Sequence, residues 1–483
     1  MSSEIDPAWQ QVKRKFQQIW GYADFRAPQG EVVAALLAGQ DALVVMPTGS
    51  GKSVCFQLPA LLSQGLTLVV SPLVALMEDQ VQALRNKQLP AALLHSELPR
   101  SQKKAVLRNL PRFRLLYLSP ETLLNTKVWA ALNDPGIRIN GFILDEAHCL
   151  AQWGETFRPV YERLGAVRPA LTANSRKNFF AIAAFTATAN PEVQRLITRT
   201  LRLQNPQTFL RSPYRANLNL EVHRTLSPAC RRHQVRKVIQ QHPETAGLVY
   251  LRSRTETETL AAWLRAKQIK AAAYHAGLAP NERRELEQAW LSNEIPVMVC
   301  TSAFGMGINK PDCRWVVHYQ APSTLSEYLQ EVGRAGRDGQ NAQCVTLVSE
   351  PTGLLDPGDR KRAEFFAQQL QQKRQQALKL LSNLPPTGEI GKVTAEFPQA
   401  GTALAILHRA GQVQWLDPFH YQLNSNVNTS AIAKLSSTKP SPMARYLRTK
   451  SCRWRFLLSE FGFTTDAAGF VCGHCDRCRT VAN

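Results

Sequence analysis

Residues 46–53 have the composition of a loop that binds phosphate groups. They read Met-Pro-Thr-Gly-Ser-Gly-Lys-Ser and follow an apolar run, 42–45, that is typical of a buried strand. In such loops backbone N–H groups surround the phosphates, the lysine reaches the terminal phosphates and the serine hydroxyl holds Mg²⁺. Met46 stands where the usual pattern begins with glycine, and a chance glycine-serine turn is the alternative. We expect the nucleotide to contact Thr48, Gly49, Ser50, Gly51, Lys52 and Ser53.

A pair of acidic residues could complete the chemistry. Asp145 and Glu146 open the sequence Asp-Glu-Ala-His directly after the apolar run 142–144. A carboxylate at the end of a strand can hold nucleotide-bound Mg²⁺, and its neighbour can orient or deprotonate the attacking water. Parallel sheets place such sites at the carboxyl ends of their strands. We predict that Asp145 binds Mg²⁺ and Glu146 activates water, whereas a solvent-exposed acidic turn is the alternative.

Two arginines in the segment 330–339 are further catalytic candidates. The segment reads Gln-Glu-Val-Gly-Arg-Ala-Gly-Arg-Asp-Gly, which spaces Arg334 and Arg337 three residues apart between glycines. A guanidinium at the interface of two lobes can stabilise the charge that develops on a transferred phosphoryl group. A basic, glycine-rich turn without a catalytic role is the alternative.

Four cysteines near the end of the chain have the spacing of a structural zinc site. Cys472, Cys475 and Cys478 form a Cys-x₂-Cys-x₂-Cys pattern, and Cys452 precedes them. Four thiolates can bind zinc tetrahedrally in a closed site. His474 is a less suitable ligand because it lies inside the tight turn. A redox pair is the alternative, but no thioredoxin-like βαβ frame surrounds these cysteines.

The charge balance indicates a polyanionic partner. Lys plus Arg number 58 against 37 for Asp plus Glu, a net charge of +21. Nucleic acid is the simplest such partner, and a basic surface that serves solubility is the alternative. We find no apolar run long enough to span a membrane and no secretory signal, so we expect a cytoplasmic protein in a reducing compartment, nucleoid-associated if bacterial.

The elements that must position these residues alternate between apolar strands and helical patterns. This alternation predicts two α/β lobes with parallel sheets, joined near 204–213. Ten strands are predicted, at 42–46, 67–71, 114–119, 141–144, 179–186, 246–251, 270–274, 297–300, 314–319 and 343–348.

The strand pattern stops after Glu350. A helix is predicted over 359–381 and a short one over 403–409, followed by strands at 413–415 and 420–423. This order fits a small winged-helix unit at 384–424. The polar residues 424–441 are predicted to be a linker.

The motifs together resemble the superfamily 2 helicases, and specifically the RecQ DNA helicases. The resemblance covers about 16–350 and the C-terminal cysteines. The matching segments are 22–29, 70–73 with Asp79-Gln80, 145–159, 186–188, 274–277 and 303–311.

The resemblance implies further roles. Arg26 and Gln29 would read the adenine while Tyr22 stacks on it, and Arg337 would be the arginine finger, supported by Arg334. Tyr22 in the core and Gln29 on a helix surface are alternatives. A Cys₄ zinc element is also a property of this family.

The segment after the acidic pair is similar to the family's aromatic-rich loop. Gln152, Trp153, Phe157 and Arg158 would bind DNA and couple it to hydrolysis, because aromatic rings stack on bases without regard to sequence. Trp153 and Phe157 are also spaced as a helical core stripe, which is the alternative. Their position beside Glu146 favours the coupling role.

The resemblance therefore implies an ATP-dependent DNA helicase that uses Mg²⁺ and Zn²⁺ and moves 3′→5′ on single-stranded DNA in repair or recombination. An RNA helicase, or a binding or annealing protein with a vestigial ATPase, are alternatives. Single-stranded and forked or duplex DNA are the expected partners, a single-strand-binding protein is a candidate, and a monomer is expected.

Five residues follow Cys478, so we expect a short form without the winged helix and the helical domain that follow the zinc element in longer members. The predicted domains are RecA-like lobes at 1–208 and 209–350, a helical connector at 351–383, an insert and linker at 384–440, and a zinc-binding subdomain at 441–483.

Overall fold

The computed structural model describes residues 7–154, 157–173, 179–305, 308, 310–350, 356–424 and 441–479. The chain forms two compact units, each assembled from two separate stretches of sequence. Unit 1 combines residues 1–211 with 370–436, and unit 2 combines 212–369 with 437–483. We call the α/β part of each unit lobe 1 and lobe 2.

Lobe 1 is built on a seven-stranded sheet in which every neighbouring pair is parallel. Its strands are β1 (Ala42–Val45), β2 (Leu66–Val70), β3 (Ala91–Leu94), β4 (Leu115–Leu118), β5 (Ile139–Leu144), β6 (Ala181–Thr186) and β7 (Gln207–Leu210), in the order β3-β4-β2-β5-β6-β1-β7.

The helices of lobe 1 are α1 (Pro7–Trp20), α2 (Gln29–Leu37), α3 (Lys52–Leu62), α4 (Val74–Asn86), α5 (Arg100–Arg108), α6 (Pro120–Leu123), α7 (Thr126–Leu132), α8 (His148–Trp153), α9 (Val167–Ala173) and α10 (Pro191–Thr200). Two 3₁₀ helices lie at Leu110–Arg112 and Pro159–Ala166.

Lobe 2 repeats this plan with a six-stranded parallel sheet. Its strands are β8 (Leu218–Thr225), β9 (Ala246–Tyr250), β10 (Ala271–Tyr274), β11 (Val297–Cys300), β12 (Cys313–His318) and β13 (Ala342–Ser349), in the order β10-β11-β9-β12-β13-β8. The helices are α11 (Pro228–Gln241), α12 (Arg254–Arg265), α13 (Pro280–Leu291), α14 (Leu325–Val332) and α15 (Gly358–Leu381).

Each unit also contains an accessory segment. The insert, residues 384–424, belongs to unit 1 and contains β14 (Thr387–Glu389), α16 (Ile390–Glu396), α17 (Ala400–Arg409), β15 (Val413–Trp415) and β16 (His420–Leu423). The cysteine segment, residues 441–479, belongs to unit 2 and contains α18 (Pro442–Arg448), α19 (Arg453–Glu460), α20 (Thr464–Ala467) and α21 (Asp476–Arg479).

The predicted fold class is confirmed, because both lobes are parallel α/β sheets. Strand β1 is continuously apolar because both of its faces are buried. Leu43 and Val45 belong to one core cluster, whereas Ala42 and Val44 belong to the cluster on the opposite face of the sheet. All ten predicted strands are present within one or two residues of their bounds.

Three strands of the lobes were not predicted, and all three lie at sheet edges. The edge strand β7 lies within the stretch 204–213, where we predicted the junction of the lobes, and its residues are mostly exposed. Strand β8 is also an edge, and its buried residues are interspersed with polar, more exposed ones such as Asn219, His223 and Arg224. The short strand β3 is the third.

The insert has the element order of a winged helix: the end of α15, then a strand, two helices and a two-stranded hairpin, closed by a three-stranded antiparallel sheet. The predicted hairpin strands are present. Strand β14 and helix α16 were not predicted. The predicted linker 424–441 lies almost wholly outside the described residues. Among the helices that are described, none is long and apolar enough to cross a membrane.

Candidate nucleotide site and metal centre

The predicted phosphate loop leads directly into helix α3. Gly49 and Gly51 adopt φ values of 80° and 78°, a left-handed conformation that favours glycine. Lys52 begins the helix, and its Nζ donates hydrogen bonds to the carbonyl oxygens of Met46 at 3.1 Å and Pro47 at 3.3 Å. The lysine therefore lies over the loop, beside the helix N-terminus, where anions are favoured.

Gln29 joins the predicted adenine motif to this loop. Its side chain is buried, its Oε1 accepts from the Arg26 backbone N–H at 2.9 Å, and its Nε2 donates to the Ser50 carbonyl at 2.9 Å. A Cβ on Gly51 would lie only 2.4 Å from Gln29 Nε2. Tyr22 is 56% exposed, so it is not a core residue, and Arg26 is exposed beside it.

The acidic pair lies where β5 ends. Asp145 is buried, and its Oδ1 accepts a hydrogen bond from the Glu146 backbone N–H at 2.9 Å. Burial, followed by the charge of Glu146, raises the pKa of Asp145 to about 6, although Lys52 and Gln80 oppose the shift. A buried carboxylate next to a second acid is suited to bind a divalent cation, whose charge offsets both effects.

The acidic pair is connected to the Thr-Ala-Thr sequence at the end of β6. His148 Nδ1 lies 3.0 Å from Thr186 Oγ1, which also contacts the backbone of Thr188. The segments 145–148 and 186–188 are thus in direct contact within lobe 1, although His148 and Thr186 are separated by 38 residues in the sequence.

In lobe 2 the two arginine candidates contact the segment 303–311. Arg334 donates to the Gly305 carbonyl, and Arg337 Nη1 donates to the Ile308 carbonyl at 2.8 Å. Gly305 has a φ of 100°, and a Cβ there would lie 2.6 Å from Arg334 Nη1. Burial, followed by the charge of Arg334, lowers the pKa of Arg337 to about 10. Met306, Gly307 and Asn309 lie outside the described residues.

The aromatic-rich segment begins at the end of α8. Phe157 is 71% exposed and is therefore not part of the core. Gln152 is half-buried, whereas the Trp153 side chain and residues 155–156 lie outside the described part.

Arg158 points into lobe 1. Its Nε donates to Glu121 Oε1 at 2.8 Å and its Nη1 donates to the Pro72 carbonyl at 2.8 Å. Its side chain is only 16% exposed. The structure therefore assigns this guanidinium an internal contact with the segment 70–73, and its predicted contact with DNA stays a prediction.

The four predicted zinc ligands converge. The sulfur atoms of Cys452, Cys472, Cys475 and Cys478 all lie within 4.8 Å of one another. The sulfur atoms of the pairs Cys475–Cys478 and Cys472–Cys478 are 3.5 and 3.8 Å apart. Zinc–sulfur bonds of about 2.3 Å in a tetrahedron require sulfur separations of about 3.8 Å. The donor set therefore fits zinc.

The cysteine segment is attached to lobe 2 through Asp476, which lies between two of the ligands. Asp476 accepts two hydrogen bonds of 2.9 Å from the fully buried Arg453 and one of 3.2 Å from the Val222 backbone N–H. Trp454 Nε1 donates to the Leu218 carbonyl at 3.2 Å. These contacts fix the ligand loop against the edge strand β8.

Sequence reasoning missed one group of residues near the site. Glu162, on the 3₁₀ helix that follows the aromatic-rich segment, pairs with His408 and Arg409 of the insert. Arg409 also contacts the backbone of α8. No local pattern marks an ion pair between residues 247 positions apart.

Comparisons with known proteins agree with the two-lobe organisation. The DEAD/DEAH box helicase family matches residues 26–196, and the helicase conserved C-terminal domain matches residues 230–339.

Two curated relatives are similar over most of their length. The chain is 52% identical over 472 residues to the ATP-dependent DNA helicase RecQ of Synechocystis sp., which covers 97% of this chain and 98% of the relative. It is 36% identical over 361 residues to the probable ATP-dependent DNA helicase RecS of Bacillus subtilis, which covers 74% of this chain and 69% of the relative.

Solved structures show the same fold at lower identity. The helicase MrfA bound to DNA gives a TM-score of 0.60 at 16% identity, covering 91% of this chain and 66% of that one. The Mycobacterium smegmatis helicase Lhr bound to single-stranded DNA and AMP-PNP gives 0.56 at 19% identity, covering 86% and 60%.

Proposed function

Because this chain belongs to the RecQ family of ATP-dependent DNA helicases, we propose that it couples ATP hydrolysis to 3′→5′ movement on single-stranded DNA and to duplex unwinding. We infer a role in repair or recombination. The strand polarity and the pathway rest on the family resemblance.

The observation that carries the proposal is the contact network around the acidic pair. Asp145 and Glu146 follow β5, His148 links them to Thr186, and the charge of Lys52 acts on Asp145 by opposing the rise in its pKa. The network supports a site in which phosphate, metal and water would be held at the carboxyl ends of the strands of one sheet.

We assign the roles as follows. Lys52 and the backbone N–H groups of 48–53 would bind the phosphates, while Ser53 and Asp145 would hold Mg²⁺, which neutralises phosphate charge when bound. Glu146 would accept the proton of the attacking water. Arg337, supported by Arg334, would stabilise the charge that develops on the phosphoryl group.

The base and the DNA would be bound by neighbouring segments of lobe 1. Tyr22 and Arg26 are exposed and available to an adenine, and Gln29 would connect base binding to the phosphate loop through Ser50. The exposed Phe157, with Trp153 and Gln152, would contact single-stranded or forked DNA. With a net charge of +21, we expect binding to weaken with salt, with a slope of about −0.7 per neutralised phosphate.

Zinc bound by the four cysteines would have a structural role, since four protein ligands leave no open coordination position. We also propose that the lobes correspond to 1–208 and 209–350, the insert and its linker to 384–440, and the zinc-binding subdomain to 441–483.

The proposal is tested by the rate of ATP hydrolysis alone, with single-stranded DNA and with RNA of equal length. Lys52→Ala supplies the background rate. Lys87→Ala is the matched control, because the Lys87 ammonium contacts the Ile19 carbonyl and no nucleotide-site residue in the described contacts.

We expect strong stimulation by DNA alone in the wild type and in Lys87→Ala. Equal or greater stimulation by RNA would contradict a DNA helicase. Hydrolysis no faster than in Lys52→Ala would favour a binding or annealing protein instead.

A further inference from the structure

The helix-turn-helix of the insert packs against other residues of unit 1. In helix-turn-helix modules the second helix of the pair enters the DNA groove, and α17 occupies that position here. Yet residues 403–407 of α17 are all buried, within the core shared with Ala166 of lobe 1. This helix therefore packs on the lobe instead of presenting a surface to DNA.

The hairpin of the insert is attached to lobe 1 as well. Phe419 packs edge-on against Trp129, with ring centroids 5.4 Å apart. Arg163 donates to the Pro418 carbonyl at 3.2 Å, and Arg202 donates to the Trp415 carbonyl at 2.8 Å. The hairpin is thus fixed to the lobe at several points, which is unlike a free wing that separates strands.

At the end of α17, Arg409 and His408 contact a fully buried acid. Glu162 has no side-chain exposure, and its Oε1 accepts from Arg409 Nε at 2.7 Å while its Oε2 lies 3.1 Å from His408 Nδ1. Burial alone would raise the pKa of Glu162, but the contacts with His408 and Arg409 outweigh it and lower the pKa. The acid is therefore ionised and holds Arg409 in place.

The other end of the same guanidinium caps helix α8. Arg409 donates through Nη2 to the Leu150 carbonyl and through Nη1 to the Ala151 carbonyl at 3.3 Å. These carbonyls belong to the last turn of the helix, where the Leu150 carbonyl also accepts a hydrogen bond from the Gly154 backbone N–H at 3.1 Å. A cation at a helix C-terminus also interacts favourably with the helix dipole.

Helix α8 connects the acidic pair to the aromatic-rich segment. His148, which contacts Glu146, is its first residue, and Trp153 is its last. Gly154, the next residue, is enclosed by the same contacts, because a Cβ there would lie 2.5 Å from the Leu150 carbonyl and 2.6 Å from Glu162 Oε1. Arg409 therefore fixes the point at which the aromatic-rich segment leaves the helix.

We propose that Arg409 is a positioning residue for DNA-stimulated ATP hydrolysis, and that the insert acts by holding α8 and not by reading DNA. This inference rests on the proposed function. Without the guanidinium, the last turn of α8 loses two hydrogen bonds, and a base contact at the aromatic-rich segment is transmitted less effectively to Glu146.

Three variants separate this role from simple stabilisation. Arg409→Ala removes both sets of contacts. Arg409→Lys keeps a charge for Glu162, but its single nitrogen cannot span Glu162 and both carbonyls. Arg202→Ala is the matched control, because it removes an arginine contact to the insert that lies away from α8.

The measurements are the hydrolysis rate without DNA, the maximal rate with single-stranded DNA, the DNA concentration at half-stimulation and the thermal midpoint. For Arg409→Ala we expect a basal rate close to the wild type and a maximal stimulation about fivefold lower. Arg409→Lys should regain thermal stability without regaining stimulation, whereas Arg202→Ala should retain full stimulation.

Normal stimulation in Arg409→Ala would overturn the proposal, as would an equal loss in Arg202→Ala. Recovery of stimulation in Arg409→Lys in step with thermal stability would also overturn it, because stabilisation alone would then explain the effect. A wild type that DNA does not stimulate would instead refute the proposed function on which the inference rests.

Discussion

Glu146 and His148 contact each other at the start of α8, with Glu146 Oε2 3.3 Å from His148 Nδ1. The same nitrogen lies 3.0 Å from Thr186 Oγ1. Burial alone would lower the pKa of His148, but Cys149 and Glu146 outweigh it and raise the pKa to about 10. The imidazole therefore lies in contact with both the Glu146 carboxylate and the Thr186 hydroxyl. A shift of the Thr-Ala-Thr segment would consequently change the position of His148 and, through it, of Glu146, which we propose activates water.

The first prediction removes the Thr186 hydroxyl. In Thr186→Val the shape is retained but the contact with His148 is lost, so we expect the DNA-stimulated rate to fall about tenfold, or about 1.4 kcal/mol in barrier height. Steady-state hydrolysis measures this. Thr225→Val is the control, since that buried threonine bonds the Val348 carbonyl within lobe 2. Equal rates in the two variants would contradict the proposed link.

The second prediction concerns pH. The pKa of Asp145 is raised to about 6, so the acid binds a proton as pH falls through about 6 and ceases to be a Mg²⁺ ligand. We therefore expect Mg²⁺-dependent ATP binding to weaken as the pH falls below about 6. Glu146→Gln removes the neighbouring negative charge, so its transition should lie at lower pH. Affinity for a fluorescent ATP analogue between pH 5 and 8 tests this, and the same midpoint in both proteins would refute it.

The third prediction concerns Gly154. A Cβ at this position would meet two oxygens at 2.5 and 2.6 Å, so Gly154→Ala should destabilise unit 1 by about 1–3 kcal/mol. Gly401→Ala is the matched control. Gly401 lies in helix α17, where alanine is favourable, and a Cβ there would lie 3.9 Å from its nearest neighbours. Denaturant melts of both variants should differ clearly. Similar melting would show that the packing around Glu162 yields easily.

The fourth prediction concerns the metal. Cys475→Ser should abolish zinc binding and leave the C-terminal segment open to protease, since structural zinc contributes roughly 10–16 kcal/mol of binding energy in zinc-finger peptides. Cys230→Ser is the control, because Cys230 lies outside the cluster on α11. Metal content and limited proteolysis are the measurements. A zinc-free variant with a protease-resistant C-terminus would contradict a structural role for the metal.

Local patterns predicted the ten strands that are present and the positions of the phosphate loop and the acidic pair at their ends. The run 42–45 is apolar because both faces of β1 are covered, and the loop and acids that follow such strands are recognisable from residue type alone. Edge strands β7 and β8 were missed because one or both of their faces meet solvent, which admits polar residues.

Long-range pairing was beyond the reach of such patterns. Gln29 was predicted to face an adenine, yet its amide also bonds Ser50, which depends on how α2 packs beside the phosphate loop. Arg158 was predicted to contact DNA, and sequence reasoning did not predict its ion pair with Glu121, which lies 37 residues earlier. Glu162 and Arg409 are separated by 247 residues, and only the three-dimensional arrangement reveals that they form one buried ion pair.

The assignment of the insert to unit 1 has a consequence for synthesis on the ribosome. Glu162 emerges 247 residues before Arg409, and at about 5–20 residues per second the delay is about 12–50 s. During that interval nascent lobe 1 carries an acid without its cation and a helix α8 without its cap. Complete folding of unit 1 must therefore wait until the whole of lobe 2 has been translated.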